Sequence, residues 1–233
     1  MATGTLTTHQ RAVRSSVAMK ALMAITGLIL IGFLLGHMAG NLKALAGQDA
    51  FNEYSHHLRV FLYPILPEKA FLWTIRIVLL AAVLLHMYSA AVLSGRLTKR
   101  RGPAYQHKAR VQQSYASRTM RWGGVIIALF VIFHILHFTA EIITPGFEAP
   151  TDPFSRVIGS FGLWWVFVIY LIAMVAVCLH VQHGFWSAFA TLGANVSPGA
   201  RRIITTCAWV CAALLFIGFL IPPTLILTGV IAL

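Results

Sequence analysis

Five uninterrupted apolar stretches dominate the chain, near Lys20–Asn41, Ala70–Ser94, Arg121–Ile143, Gly159–Ala190 and Ile203–Leu227. Crossing the hydrocarbon core of a bilayer takes about 20 helical residues. With no water there to satisfy backbone groups, a run of this kind has to be a helix. The stretches therefore predict an all-α membrane protein, a five-helix transmembrane bundle formed by a single domain over residues 1–233. The fourth stretch exceeds a minimal span and is expected to tilt or to project from the membrane. Pro222 and Pro223 are expected to bend or end the fifth. A polar tail, residues 1–19, precedes the first run, and no small-residue cleavage site clearly follows it. That run is therefore expected to stay in place as a membrane helix.

Only 10% of the residues are charged, too few to coat a soluble domain. The net charge of +12 does not point to nucleic acid, because the basic residues lie between the apolar runs and not along one polar face. Arg11, Arg14 and Lys20 precede the first run; Arg96, Lys99, Arg100, Arg101, Lys108, Arg110, Arg118 and Arg121 surround the second connection; Arg201 and Arg202 sit in the fourth. The opposite side has Lys43, Arg59, Lys69 and Arg156, with every acid of the chain: Asp49, Glu53, Glu68, Glu141, Glu148 and Asp152. The positive-inside rule places the N-terminus in the cytoplasm and the C-terminus outside. The first connection, Asp49 to Arg59, has the pattern of a short amphipathic helix at the outer interface.

Inside the runs lie His37, His86, His134 and His180, each on a different helix. Ionisable groups at membrane depth are costly and mark functional sites. At about 1.5 Å per residue, His37 lies roughly 25 Å and His134 roughly 20 Å from the inner ends of their helices, against roughly 12 Å for His86 and 15 Å for His180. Depth thus pairs His37 with His134 in the outer half and His86 with His180 in the inner half, as two bis-histidine sites require. His137 matches the depth of His37 slightly better than His134 does, and His183 lies one turn from His180, so depth alone leaves both choices open. Gly32, Gly36 and Gly40 form a small-residue stripe beside His37, and Gly123 and Gly124 open the third helix. Such glycines suit close approach of a macrocycle or of another helix. Cys178, Cys207 and Cys211 form no CxxC or Cys/His cluster, which excludes an iron–sulfur site in this chain and leaves them as packing residues.

The chain resembles the single-chain, five-helix, di-haem cytochrome b anchors of succinate:quinone oxidoreductases and fumarate reductases. The segments that carry the resemblance are Gly32–Asn41, Leu84–Tyr88, Gly124–His134 and His180-Val-Gln-His-Gly184-Phe-Trp186-Ser187, continued by Leu192-Gly193 and Pro198. It spans nearly the whole chain apart from the polar tail, and the last segment is the most specific. The resemblance favours His134 over His137 and His180 over His183. It implies two b haems: an outer, distal one on His37 and His134, and an inner, proximal one on His86 and His180. It also implies partner subunits, an FAD flavoprotein and an iron–sulfur protein, with electrons passing to quinone, commonly menaquinone, in the cytoplasmic membrane.

Secondary sites follow from position. Arg76, a cation well inside the second helix, is expected to pair with an outer-haem propionate, the alternative being snorkelling to the interface. Lys20, Arg118 and Arg121 border the inner site and are candidates for a propionate or a quinone. His137 and His183 are candidates for a haem edge or a quinone. Glu141, seven residues after His134 on nearly the same face, is a candidate proton relay. Three other readings compete: a quinol:fumarate reductase with the same anchor, the di-haem cytochrome of a formate dehydrogenase or hydrogenase, and a haem-free proton or metal transporter.

Overall fold

The computed structural model describes residues 15–99, 115–149 and 151–232, with side chains from 15–95, 120–149 and 151–232. The described residues are helical and contain no strand. Helix α1 is Ser16–Asn41, extended by a short 3-10 turn, Leu42–Ala46. Then come α2 (Gln48–Val60), α3 (Ala70–Lys99), α4 (Tyr115–His134) closed by a wider π turn (Ile135–Thr139), α5 (Pro153–Phe161), α6 (Trp164–Thr191) and α7 (Pro198–Leu227). Five of them, α1, α3, α4, α6 and α7, are long and apolar enough to cross a membrane. The anticipated amphipathic helix after the first span is α2.

Two expectations are corrected. The fourth apolar run is two helices. Asp152 caps α5, Pro153 takes the first helical position that suits it, and the helix ends at Phe161, so the span begins only at Trp164. A single tilted helix from Gly159 is therefore not formed. Of the two outcomes expected at Pro222 and Pro223, a bend or an end, the end is the one corrected: α7 continues to Leu227 with both prolines buried inside it. In lipid, proline is tolerated within a helix when neighbouring groups accommodate the freed backbone.

Helices α1 and α6 are central. α3 packs on α1, α4 packs on α6, and α7 packs on both central helices. Lipid is as apolar as leucine, so association depends on close fit and small residues. Ala82, Ala173, Ala208 and Ala212 are buried, and Met38 seats its sulfur against Gly218, where any side chain would collide with it. The middle of the bundle is Ile31, Met174, Val177, Val181, Cys211 and Leu215. A second cluster, including Phe51, Phe154, Phe161, Val166 and Tyr170, closes the end at which the acids gather. We call this the acidic end and the opposite one, from which α1, α4 and α7 start, the basic end.

Asp152 ties the acidic end together. Its carboxylate accepts from the Phe154 and Ser155 amides at 3.1 Å and from Asn52 Nδ2, on α2, at 2.7 Å. Burial pushes this carboxyl up, but hydrogen bonds from Ser155, Asn52 and Gln48 outweigh it and hold it at about 2. A carboxyl depressed in the folded state stabilises above its unfolded value of about 4 and loses that contribution as pH falls toward the folded value. Asp152→Ala is expected to cost about 1 kcal/mol, as loss of an N-cap does. Thermal unfolding of the purified protein should show the gap between variant and wild type at neutral pH and its closure near pH 2.

Candidate functional site: two imidazole pairs

The four histidines meet in two pairs. The His37 and His134 rings, from α1 and α4, have centroids 5.8 Å apart. Those of His86 and His180, from α3 and α6, are 6.1 Å apart. Two imidazoles bonded to one metal at about 2 Å per bond place their ring centres about 6 Å apart. Neither α1 with α4 nor α3 with α6 is a closely packed helix pair among the described residues, and each gap is bridged by a pair of imidazoles. The described residues gather no cluster of three or more His, Cys, Asp or Glu side chains able to hold a metal. Paired imidazoles of this kind suit a metal that brings further ligands of its own.

Local structure prepares each ring. His86 Nδ1 lies 3.1 Å from the Met23 carbonyl and 3.2 Å from Thr26 Oγ1. A carbonyl only accepts, so Nδ1 carries the proton and Nε2 is left with its lone pair. Thr26 supports this arrangement: its own hydroxyl donates to the Leu22 carbonyl at 2.7 Å, leaving its oxygen to accept. A metal-binding imidazole is oriented in just this manner, by donating its second nitrogen to an oxygen. Gly27 leaves room beside the ring, since a Cβ there would lie 3.3 Å from His86 Cε1. His180 Nδ1 is buried and finds no hydrogen-bond partner among the described residues. An apolar recess of about 220 Å³, lined by Met120, Trp122, Gly123, Ile172 and Leu179, opens onto that ring. His37 stacks on Phe33, with centroids 5.2 Å apart and planes within 12°, and meets Phe219 on another side. Gly32 and Gly36 leave open space on the α1 surface, whereas Gly40 is filled by Tyr54.

His134 and His137 are separated by their surroundings. His137 is 0% exposed, and both its nitrogens are engaged: Nδ1 with the Tyr170 hydroxyl at 3.0 Å and Nε2 with Ser160 Oγ at 2.9 Å. His134 has one nitrogen engaged by Tyr170, Nδ1 at 3.2 Å, and its ring also meets that of His37. His183 neighbours Trp186 at 6.5 Å, and His180, not His183, meets His86.

The remaining expectations lie apart from the rings. Arg76 is ten residues, about 15 Å, toward the acidic end from His86, level with the outer pair; its guanidinium lies 5.2 Å over the Trp73 ring. Lys20 and Arg121 are exposed at the basic end, and the Arg118 side chain lies outside the described residues. Glu141 does not continue the face of His134. The helix has ended, Glu141 sits in the left-handed region at φ 53°, and its carboxylate is ion-paired to Arg156 of α5. That guanidinium is nearly buried, which gives Glu141 a structural role independent of proton traffic.

Sequence reasoning missed Tyr170, Ser160, Arg156 and the Met23 carbonyl. One signal was present: Tyr170 is a lone phenol deep in an apolar run, and a buried hydroxyl requires a partner. It precedes His180 by ten residues, which sets it level with the outer pair.

The chain is similar to the succinate dehydrogenase cytochrome b558 subunit of Bacillus subtilis (strain 168), with 24% identity over 187 residues that cover 80% of this chain and 85% of the relative. This similarity supports the resemblance to complex II cytochrome b anchors read from the sequence motifs. No protein-family model matches the chain, and no solved structure does.

Proposed function

We propose that this chain is the membrane-anchor cytochrome b of a succinate:quinone oxidoreductase, holding two b haems within the bilayer. The observation that carries this reading is the convergence of four imidazoles from four spans into two pairs with metal-spanning separation. His86 and His180 would hold the haem nearer the basic end, and His37 and His134 the one nearer the acidic end. The haems supply one-electron carriage between an iron–sulfur partner and quinone. The chain's own residues fix the tautomers of His86 and His134 and keep the two sites about 15 Å apart along α6, the ten-residue separation of Tyr170 and His180. The basic end, placed in the cytoplasm by its charge, is the docking side for the iron–sulfur and flavoprotein subunits. Arg76, level with the outer pair, is the intramembrane cation for an outer-haem propionate. Menaquinone is the acceptor the resemblance implies. The similarity to a succinate dehydrogenase subunit favours succinate oxidation over fumarate reduction as the physiological direction.

The test is a reduced-minus-oxidised spectrum with a pyridine haemochrome assay on the purified complex. Two b haems per chain are expected, with copurifying flavoprotein and iron–sulfur subunits. An assembled complex without haem would refute the reading, and a chain that carries no haem and binds no iron–sulfur subunit would leave a transporter as the better account. Comparing succinate:menaquinone with quinol:fumarate activity in the same preparation decides direction. Gly27→Val offers an independent check of the inner site. Its added carbons would press on the His86 ring, and a 1 Å misplacement costs about 10²-fold in a positioned site. The expected result is loss of the inner haem with the outer one retained, read by haem-to-protein ratio.

A further inference from the structure

The partners of His134 form a directional hydrogen-bond chain. Ser160 Oγ donates to the Pro145 carbonyl at 3.3 Å, an oxygen that can only accept. The single hydroxyl proton of Ser160 is thereby committed, so Ser160 accepts the Nε2 proton of His137. Neutral His137 then presents the Nδ1 lone pair, which accepts the proton of Tyr170. With its own proton committed, the Tyr170 oxygen accepts from His134 Nδ1. His134 is left with an unprotonated Nε2. Read from the carbonyl inward, every link has one consistent polarity, and Ser160 and His137 are both 0% exposed while Tyr170 is 7% exposed.

We propose that Tyr170 is the positioning residue of the outer site: it accepts the Nδ1 proton of His134, sets that ring's tautomer and raises its electron donation, with its polarity imposed through His137 by Ser160. This rests on the proposed function, in which His134 would hold the outer haem. Outer-shell acceptors of this kind tune a metal through its imidazole, and chains of aligned hydrogen bonds strengthen one another at low dielectric. The inner site has a different device, since His86 donates directly to the Met23 carbonyl. The inner haem is therefore an internal control.

The experiment is a redox titration of both haems in the purified complex, with haem content measured alongside. In Tyr170→Phe the His134 proton loses its acceptor, the ring donates less, and the ferric outer haem is stabilised less. The expected result is two haems, an unchanged inner potential, and a ferric-to-ferrous ratio of the outer haem lowered about tenfold at fixed poise, which is about 59 mV for a one-electron couple. His137→Leu breaks the chain one link away and should shift the outer haem in the same direction by less. His137→Gln, whose carbonyl accepts from Tyr170 and whose amide donates to Ser160, should restore the wild-type potential. Unmoved outer potentials in Tyr170→Phe and His137→Leu, or equal shifts in the leucine and glutamine variants, would overturn the proposal. If Tyr170→Phe sheds the outer haem, the His137 pair decides: loss from both alike points to packing and overturns it. A wild-type complex lacking haem would instead refute the proposed function itself.

Discussion

Replacing His86 with leucine is expected to leave one b haem per chain and to lower succinate-dependent quinone reduction by more than about 100-fold, since even outer-shell partners of a metal ligand cost 10–100-fold. His86 is the member of the inner pair whose ring is held by acceptors on α1, Met23 O and Thr26 Oγ1, and its Nε2 lone pair has no use in protein packing. Leucine fills the volume but supplies no ligand, so the loss should be specific. His180→Leu should give the same phenotype, because the two rings are 6.1 Å apart across one gap. His183→Leu should keep both haems, because that ring neighbours Trp186. Haem-to-protein ratios in the three purified complexes distinguish the outcomes. Two haems retained in His86→Leu would remove His86 from the ligand set.

Gly159→Val is expected to destabilise the acidic end by about 3 kcal/mol or more, combining overpacking with backbone displacement. Gly159 and Gly146 are in backbone contact: a Cβ built on either would collide with the carbonyl oxygen of the other. Gly146 also has φ +79°, a conformation a side chain resists. This contact presses residues 140–149 onto α5, bringing the Pro145 carbonyl to Ser160 and Glu141 to Arg156. Separating the two segments should therefore release Ser160, His137 and Tyr170 in turn. Thermal denaturation followed by haem absorbance should show a lowered midpoint, with the outer haem lost before the inner. Simultaneous loss of both would place the damage in the whole bundle.

Much of the architecture was legible because membrane solvation imposes coarse rules. Span number follows from run length, and the segregation of acids and bases follows from alternation of loops. Pairing by depth needed only the helical rise, and the structure brings together His37 with His134 and His86 with His180. The break at Gly162 between α5 and α6 was not legible, because Gly159–Ala190 is apolar on both sides of it. Lipid-facing and core-facing residues are equally apolar, so the pattern around each span has no polar face to read. Glu141 misled for a related reason: the seven-residue step from His134 assumes a continuing helix, and the π turn followed by a left-handed residue ends it.

The chain by itself determined five spans, the segregation of charge and four imidazoles at two depths. Each of these depends on composition and linear distance alone. Tertiary structure decided that Nδ1 is the engaged nitrogen of His86 and of His134, that His137 is satisfied by Tyr170 and Ser160 while His134 faces His37, and that Asp152, Gly146 and Gly159 hold the acidic end over them. These depend on helix phase and on hydrogen-bond polarity across segments far apart in sequence, and a donor or acceptor is assigned only when its partner is in place.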